Sequence, residues 1–370
     1  MRVYVYAIAK DEAKHAARFM ASAAEADGVY VLDTGSRDGT AETLRSLGAQ
    51  VTVKRIEPWR FDTARNMSLA LLPEDADICV CVDLDEVFHP GWRAALEKAW
   101  LPGTQQAAYR YTWSFTPEGG EGHVFWQEKA HARRGFRWKH PVHEVLCYEG
   151  TGPCRRVRAE GVQLDHFPDE EKSRAQYLPL LEQAVAEEPE NDRNRHYLGR
   201  EYMFHGLWEK AIAVLKEHLR LPAARWRDER CASMRFIARC EEALGREEEA
   251  LSWLLRAAGE APWLREPWVA LARWMYRQRD WEGVYFAAER AVRIADRAES
   301  YITEAESWGA LPWDLGSLGA YYTGRFDRAA QMAEEALRLS PGDNRIQDNI
   351  KLIYAQMMAS QSLRPQTQKD

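Results

Sequence analysis

The sequence lacks both an apolar stretch long enough to cross a membrane and a cysteine pattern typical of a zinc finger. A membrane-spanning helix needs about 18 consecutive apolar residues, and no run of that length occurs. The six cysteines contain no CxxC pair and no zinc-ligand spacing with histidine. We therefore expect a cytoplasmic protein whose cysteines are free, buried thiols in a reducing compartment.

Common phosphate-binding loops and an excess of positive charge are also absent. Neither GxxxxGK[ST] nor GxGxxG after a strand is found, which argues against P-loop phosphoryl transfer and dinucleotide redox chemistry. The 50 basic and 57 acidic residues give a net charge of −7, so overall charge does not support nucleic-acid binding. One basic cluster, Lys129 to Lys139, has no acidic residue. It predicts either a site that binds an anion, such as a diphosphate or a nucleic acid, or a basic surface exposed to solvent.

Residues 1–170 alternate strand-like and helix-like segments, the pattern of a parallel α/β sheet. Short apolar runs predict strands at Arg2–Ala9, Val29–Leu32 and Asp77–Val82. Ligands bind at the carboxyl ends of the strands in such sheets. Acidic turns follow two of these strands, one at Asp33 and one at Asp83-Leu84-Asp85. The sequence therefore predicts a site at this edge, with carboxylates that suit Mg²⁺ or Mn²⁺.

Residues 171–358 are predicted to be helical and repetitive, with a generic helical bundle as the alternative. Four turn-and-helix segments align on anchors 34 to 45 residues apart, namely Gly206, Gly245, Arg279 and Gly324. A period near 34 residues is that of tetratricopeptide repeats, and the irregular spacing predicts insertions between them. Tyr177–Pro189 matches part of an earlier, incomplete unit. The polar tail, residues 359–370, is expected to be disordered.

A family resemblance is carried by four stretches of the N-terminal region. They are Ala7–Glu12 (AIAKDE), Val31–Thr40 (VLDTGSRDGT), Phe61–Asn66 (FDTARN) and Val82–Glu86 (VDLDE). They resemble the family-two glycosyltransferases, which have the GT-A fold. This resemblance implies a Rossmann-like α/β domain with a mixed, mostly parallel sheet over residues 1–170. The period near 34 residues predicts that an all-α solenoid of tetratricopeptide type follows it over residues 171–358.

Two further stretches lead into the helical repeats, at Trp138–Glu144 (WKHPVHE) and Leu164–Phe167 (LDHF). With the repeats, they resemble a bacterial subgroup that includes peptide S-glycosyltransferases of the sublancin type. The family pattern usually has Asn before the Glu of its first motif, whereas this chain has Asp11.

The resemblance implies a nucleotide-sugar pocket formed by four side chains. Asp33 matches the aspartate that contacts the base or ribose, and Asp83 matches the first aspartate of the DxD motif, near the ribose or the metal. Arg65 and Asn66 match the pair on the helix that lines the pocket. Asp33 has a simpler interpretation as an Asx-turn residue, and Arg65 as the partner of a nearby carboxylate.

The resemblance also implies a metal ion, Mn²⁺ or Mg²⁺, and a general base. Asp85 matches its direct ligand, with Asp83 beside it, and His166 resembles the histidine that completes the metal shell. Glu144 is the candidate general base, since inverting transfer needs a carboxylate to activate the acceptor. His166 could instead be an ordinary structural histidine, and Glu144 a member of an ion pair.

The function expected from the resemblance is inverting, metal-dependent transfer of a sugar from a nucleotide-sugar, with UDP as the first choice of nucleotide. The acceptor stays open between a peptide, a glycan and a nucleobase, and the repeats would bind it or mediate self-association. One alternative is a repeat-protein adaptor with an inactive GT-A domain. A nucleotidyltransferase is less favoured, because Ala9–Glu12 is not a glycine-rich basic loop. Four tryptophans are candidates to stack on a sugar: Trp59, Trp113, Trp126 and Trp138.

Overall fold

The computed structural model describes residues 1–116, 119–169 and 175–362. The chain divides into two compact units, one of Met1–Glu187 with Glu299–Tyr301 and the other of Glu188–Ala298 with Ile302 onward. The predicted boundary between residues 170 and 171 lies outside the described residues. Within the described ranges, no helix is both long enough and apolar enough to cross a membrane.

Within the described ranges, the first unit contains an eight-stranded sheet, a two-stranded hairpin and five α-helices. The strands are β1 (Val3–Ala9), β2 (Gly28–Asp33), β3 (Gln50–Val53), β4 (Ile78–Cys81), β5 (Glu86–Phe88), β6 (Gln106–Thr112), β7 (Val124–Ala132), β8 (Phe136–Lys139), β9 (Val145–Tyr148) and β10 (Arg156–His166). The helices are α1 (Ala13–Ser22), α2 (Thr40–Ser46), α3 (Phe61–Ala70), α4 (Trp92–Ala99) and α5 (Tyr177–Glu187), with a 3₁₀ turn at Ala23–Glu25.

The strand directions place the ends of most strands at one edge of the sheet. The order is β3-β2-β1-β4-β7-β6-β10-β5, and β8 pairs separately with β9. Pairing is parallel between β1 and β2, β1 and β4, β2 and β3, and β6 and β10. Only β7 and β5 run against these strands. The sheet is therefore mixed and mostly parallel, as predicted.

Alternating side chains of the central strands fill the core on both faces of the sheet. Val5 of β1 belongs to the cluster that includes Phe19 of α1, whereas its neighbour Tyr6 packs on the opposite face with Leu69 of α3. Cys79 and Cys81 both lie in the Tyr6 cluster, so they share one side of β4. Burial on both faces explains why these strands read as continuous apolar runs.

The second unit consists of helical hairpins. Its helices are α6 (Asp192–Phe204), α7 (Trp208–His218), α8 (Arg227–Ala243), α9 (Glu247–Glu260), α10 (Arg265–Arg277), α11 (Trp281–Val292), α12 (Leu311–Tyr322), α13 (Phe326–Leu339) and α14 (Asn344–Ser362), with a 3₁₀ turn at Ala305–Trp308. The predicted anchors form the four tight turns within the pairs α6/α7, α8/α9, α10/α11 and α12/α13. Each anchor has a positive φ: 69° at Gly206, 74° at Gly245, 58° at Arg279 and 77° at Gly324.

Other predictions for this unit can also be compared with the structure. The last residues of the four aligned turn-and-helix segments are fully buried: Ala211, Ala250, Val284 and Ala329. The long connection at residues 293–310 accounts for the widest anchor spacing. Helix α5 confirms the helical segment at Tyr177, although it clusters with the first unit. The tail expected to be disordered from residue 359 is helical as far as Ser362, and residues 363–370 lie outside the described range.

A glycine allows α11 and α12 to pack at short distance. A Cβ at Gly319 would lie 2.6 Å from the backbone nitrogen of Tyr285 and 2.9 Å from its Cα. We expect Gly319→Ala to lower the free energy of unfolding by about 1–3 kcal/mol, because backbone atoms cannot move aside as a side chain can. Urea denaturation measures this. Gly259→Ala in α9 is the control, since its Cβ meets no described atom within 4 Å; it should stabilise by up to about 1 kcal/mol. Equal effects would contradict the packing argument.

Candidate active site

The acidic turns and one histidine lie at the carboxyl edge of the sheet. Asp33 is the last residue of β2, Asp83 and Asp85 follow β4, and His166 ends β10. Because these three strands run in the same direction, their carboxyl ends meet at this edge. Parallel-sheet topology therefore brings together residues that are far apart in sequence.

Asp83 lies between two fixed cations. Arg65, from α3, has its Nη1 2.6 Å from Oδ1 of Asp83, and Lys129, from β7, has its Nζ 3.4 Å from Oδ2. Burial alone would raise the pKa of Asp83, but the charges of Arg65 and Lys129 more than offset this and hold it well below its ordinary value. Asp83 is therefore an ionised carboxylate whose charge is already balanced by side chains.

Lys129 also pairs with Glu86, a residue to which the sequence assigned no role. Glu86 is buried, and its Oε1 lies 3.3 Å from Nζ of Lys129 and accepts a hydrogen bond from the Tyr111 hydroxyl at 2.8 Å. Its Oε2 accepts the backbone N–H of Asp83 at 2.8 Å. Burial raises the pKa of Glu86, and Lys129 offsets this only in part. The carboxylate of Glu86 thus holds the backbone of the acidic turn by accepting the N–H of Asp83.

Asp85 and His166 face each other. Nε2 of His166 lies 3.4 Å from Oδ2 of Asp85, longer than a charge-assisted hydrogen bond. Nδ1 of His166 lies 3.0 Å from the backbone carbonyl of Trp113, so Nδ1 is the nitrogen that donates. In neutral His166, Nε2 then presents a lone pair towards Asp85. A histidine held by a carbonyl through its other nitrogen is the usual arrangement of a metal ligand, and the carboxylate supplies an oxygen suited to Mn²⁺ or Mg²⁺.

The protonation of His166 depends on the same neighbours. Burial lowers the pKa of His166, but the negative charge of the nearby Asp85 carboxylate raises it by more, so that the pKa lies above its ordinary value. The Trp113 indole stacks on the imidazole with ring centres 4.3 Å apart. The contacts with Asp85 and with the indole hold the imidazole of His166 in one orientation. The Trp113 indole itself is partly exposed.

Asp33 combines its structural role with an unused oxygen. Its Oδ1 accepts the backbone N–H groups of Gly35 and Ser36, both at 2.9 Å, which is the Asx turn considered above. Its Oδ2 is buried and has no hydrogen-bond partner in the described part of the chain. A buried acceptor is costly when unpaired, so the site fits a ligand that donates a hydrogen bond to Oδ2. The two interpretations of Asp33 are therefore compatible.

The Asn66 side chain forms two hydrogen bonds with the main chain of Trp138. Nδ2 of Asn66 donates to the Trp138 carbonyl at 2.8 Å, and its Oδ1 accepts the Trp138 N–H at 2.9 Å. Asn66 thus holds β8 in place, and a contact with a nucleotide stays a prediction. Trp138 is buried and donates its indole N–H to the Tyr6 hydroxyl, so the expectation that it stacks on a sugar is wrong. Trp113, Trp126 and Trp59 stay candidates, since each is at least partly exposed.

Glu144 is held by the same arginine as Asp83. Its Oε1 lies 2.8 Å from Nε of Arg65. The simpler interpretations given in the sequence analysis therefore apply to both residues. Arg65 pairs with carboxylates, and Glu144 belongs to an ion pair. Its role as general base stays a prediction.

The basic cluster does not form one surface. Lys129 points into the acidic site, Arg133 donates to the carbonyls of Leu72 and Pro73, and Lys139 pairs with Glu149 at 2.9 Å. Arg134 and Arg137 are exposed, so the solvated-surface interpretation holds for part of the cluster, and an anion-binding surface stays a prediction. Lys129 is the member with a place in the site.

The sequence profile described as Glycosyl transferase family 2 matches residues 4–150. The match includes both acidic turns, Arg65 and Glu144, all within the sheet domain just described. Residues 4–150 are a family-two glycosyltransferase domain. His166 lies beyond the matched residues. The finer resemblance to sublancin-type enzymes stays a prediction, and no curated protein shows a significant match to the chain.

Solved structures similar to the chain match about half of it. They include the APC/C hetero-tetramer Cut9-Hcn1 (14% identity, 50% of this chain and 34% of that one, TM-score 0.38) and Pseudomonas aeruginosa pilF (16%, 49% and 72%, 0.36). Another is YrrB, described as a TPR protein with an unusual peptide-binding site (13%, 46% and 79%, 0.33). The chain spans about a third of the first of these. The interpretation of the region beyond the glycosyltransferase domain as repeats rests on its own helix pairs and turns.

Proposed function

We propose that the glycosyltransferase domain transfers a sugar from a UDP-sugar to an acceptor with inversion, using Mn²⁺ or Mg²⁺. The observation that carries the proposal is the pair of Asp85 and His166, with Nε2 and Oδ2 facing each other and Nδ1 tied to a carbonyl. Asp85 and His166 would hold the ion, and its charge would stabilise the diphosphate that leaves. The residues present fit such an ion by donor type and by orientation.

The nucleotide is assigned to the end of β2. Oδ2 of Asp33 would accept a hydrogen bond from the base or ribose, which supplies the partner that this buried oxygen lacks. Arg65 and Lys129 keep Asp83 ionised, so that this carboxylate can accept a hydroxyl of the ribose. Both interactions orient the donor relative to the leaving diphosphate.

Glu144 is proposed as the base that removes the proton of the acceptor. One of its oxygens is held by Arg65, which fixes the carboxylate, and the other, for which the described ranges show no hydrogen bond, would receive the proton. Inversion needs only this base and charge stabilisation of the leaving group, with no covalent enzyme intermediate. The acceptor is proposed to be a peptide, a glycan or a nucleobase, bound by the helical repeats or presented by a self-associated chain.

Isothermal titration calorimetry tests the donor assignment. UDP, GDP and dTDP are titrated with and without Mn²⁺; we expect UDP to bind most tightly and only weakly without the ion. Asp33→Asn keeps the oxygen that forms the turn but replaces Oδ2 by a donor, so UDP should bind about ten-fold or more weakly. Asp27→Asn is the control, because Asp27 accepts the Val3 N–H at the opposite edge of the sheet. Equal affinities for wild type and Asp33→Asn would contradict the nucleotide assignment.

A second measurement distinguishes an active glycosyltransferase from a repeat-protein adaptor with an inactive domain. Mass spectrometry of a panel of sugar nucleotides incubated with the protein and Mn²⁺ should show slow hydrolysis of one donor, and it identifies the sugar. An inactive domain would hydrolyse none of them. The predicted cytoplasmic location stays a prediction.

A further inference from the structure

Three side chains of the repeat unit, all remote in sequence from the acidic turns, meet where three helices end. Asp192 is the first residue of α6, His218 the last of α7, and Glu229 lies in the first turn of α8. One potential ligand atom from each lies within 4.8 Å of the others. His218 and Glu229 have only 0% and 5% of their side chains exposed.

The contact between His218 and Glu229 is not an ordinary hydrogen bond. Nε2 of His218 lies 3.4 Å from Oε1 of Glu229, and this buried nitrogen has no hydrogen-bond partner in the described ranges. Charge-assisted N–H···O bonds are shorter, at about 2.7–2.9 Å. With Asp192 beside them, two carboxylates and an imidazole therefore converge on one point without a hydrogen bond between the ring and the Glu229 carboxylate.

A serine fixes the His218 ring from its other side. The Ser233 hydroxyl lies 2.9 Å from Nδ1 of His218 and 2.7 Å from Nδ1 of His196. A hydroxyl has one proton, so it donates to one imidazole and accepts from the other. When His218 donates, its Nε2 presents a lone pair to Asp192 and Glu229.

We propose that Asp192, His218 and Glu229 bind a divalent transition-metal ion, with zinc as the first candidate, which joins α6, α7 and α8. One imidazole nitrogen and two carboxylate oxygens are a ligand set that zinc accepts. The hydrogen bond of Nδ1 to Ser233 is the second contact that orients metal-binding histidines. Asp192 is half-buried, which leaves room for water at a fourth position. This site is independent of the proposed catalytic ion, and its role is to stabilise the repeat unit.

Zinc content of the full chain tests the proposal. Asp85→Asn/His166→Gln serves as the background, so that the proposed catalytic ion does not contribute. After treatment with EDTA, incubation with zinc and gel filtration, elemental analysis should find one zinc per chain, and the melting temperature should rise by about 5 °C. Adding His218→Gln should abolish both effects. His205→Gln is the matched control, since His205 is an exposed histidine that directly follows the last residue of α6. This variant should retain the zinc.

Cobalt supplies a readout that needs no change in the three ligands. Co²⁺ added to the same background should give visible d–d absorption of a low-coordinate site, and zinc should displace it. Asp192→Asn, at the half-buried position, should weaken zinc binding about ten-fold or more even if His218→Gln fails to fold. The proposal is overturned if the background chain takes up neither zinc nor cobalt, or if both ligand variants bind zinc like the control.

Discussion

Asp85→Asn is expected to reduce sugar transfer and donor hydrolysis by at least about a hundred-fold, because charge stabilisation at a leaving group is commonly worth that much or more. The amide keeps the size of the side chain but loses the negative charge that faces His166. The stability of the fold should change little, since Asp85 lies in an edge turn. Steady-state kinetics with the donor identified by mass spectrometry measure the effect, and circular dichroism checks the fold.

Asp165→Asn is the matched control for this prediction. Asp165 precedes His166 on β10, so its side chain lies on the other face of the strand. There it contacts His89 at 2.8 Å and Gln163 at 3.0 Å. Its contribution should be small, as for other exposed pairs. If both variants lost the same activity, the loss would not be specific to Asp85, and its assignment as a metal ligand would fail.

Arg65→Met is expected to lower the free energy of unfolding at pH 7 by about 3–5 kcal/mol, the usual cost of removing one partner from a buried ion pair. The Arg65 side chain is only 5% exposed and holds both Asp83 and Glu144. Urea denaturation measures the change. Arg60→Met is the control: Arg60 also pairs with two carboxylates but is 23% exposed, so about 1 kcal/mol is expected.

The effect of Arg65→Met should depend on pH. The pKa of Asp83 is lowered in the folded state, so its ionisation contributes stability above the unfolded value of about 3.9. That contribution is lost as the pH falls through the folded pKa. The variant lacks Arg65, whose positive charge contributes most to lowering the pKa of Asp83. The difference in unfolding free energy between wild type and variant should therefore be largest near neutral pH and shrink below about pH 4. A constant difference would contradict the coupling between Arg65 and Asp83.

Local patterns in the sequence predicted three strands of the sheet, the acidic edge and the repeat turns. The apolar run ending at Asp83 defines β4, and glycine at positions such as Gly206 predicts a turn that requires positive φ. Arg279 occupies the same conformation, and only its alignment with the glycine anchors indicated this. These features depend on neighbours in sequence, which is why they could be predicted.

The partners of Asp83 could not be predicted in the same way. Lys129 reaches Asp83 because β7 enters the sheet antiparallel between β4 and β6, an order that no local pattern specifies. In sequence, Lys129 belongs only to a basic cluster. The pairing of Asn66 with the main chain of Trp138 is equally nonlocal, and the meeting of His218 with Asp192 and Glu229 depends on how three helices pack.

The neutralisation of Asp83 has a consequence for the order in which ligands bind. With Arg65 and Lys129 already balancing that carboxylate, a divalent ion gains attraction mainly from the single negative charge of Asp85. Magnesium in particular gives up its bound water reluctantly. The free protein would therefore hold such an ion only loosely, and binding of the donor's pyrophosphate would strengthen it. Ion and sugar nucleotide would then enter as a preformed complex, so that each retains the other until the saccharide has left.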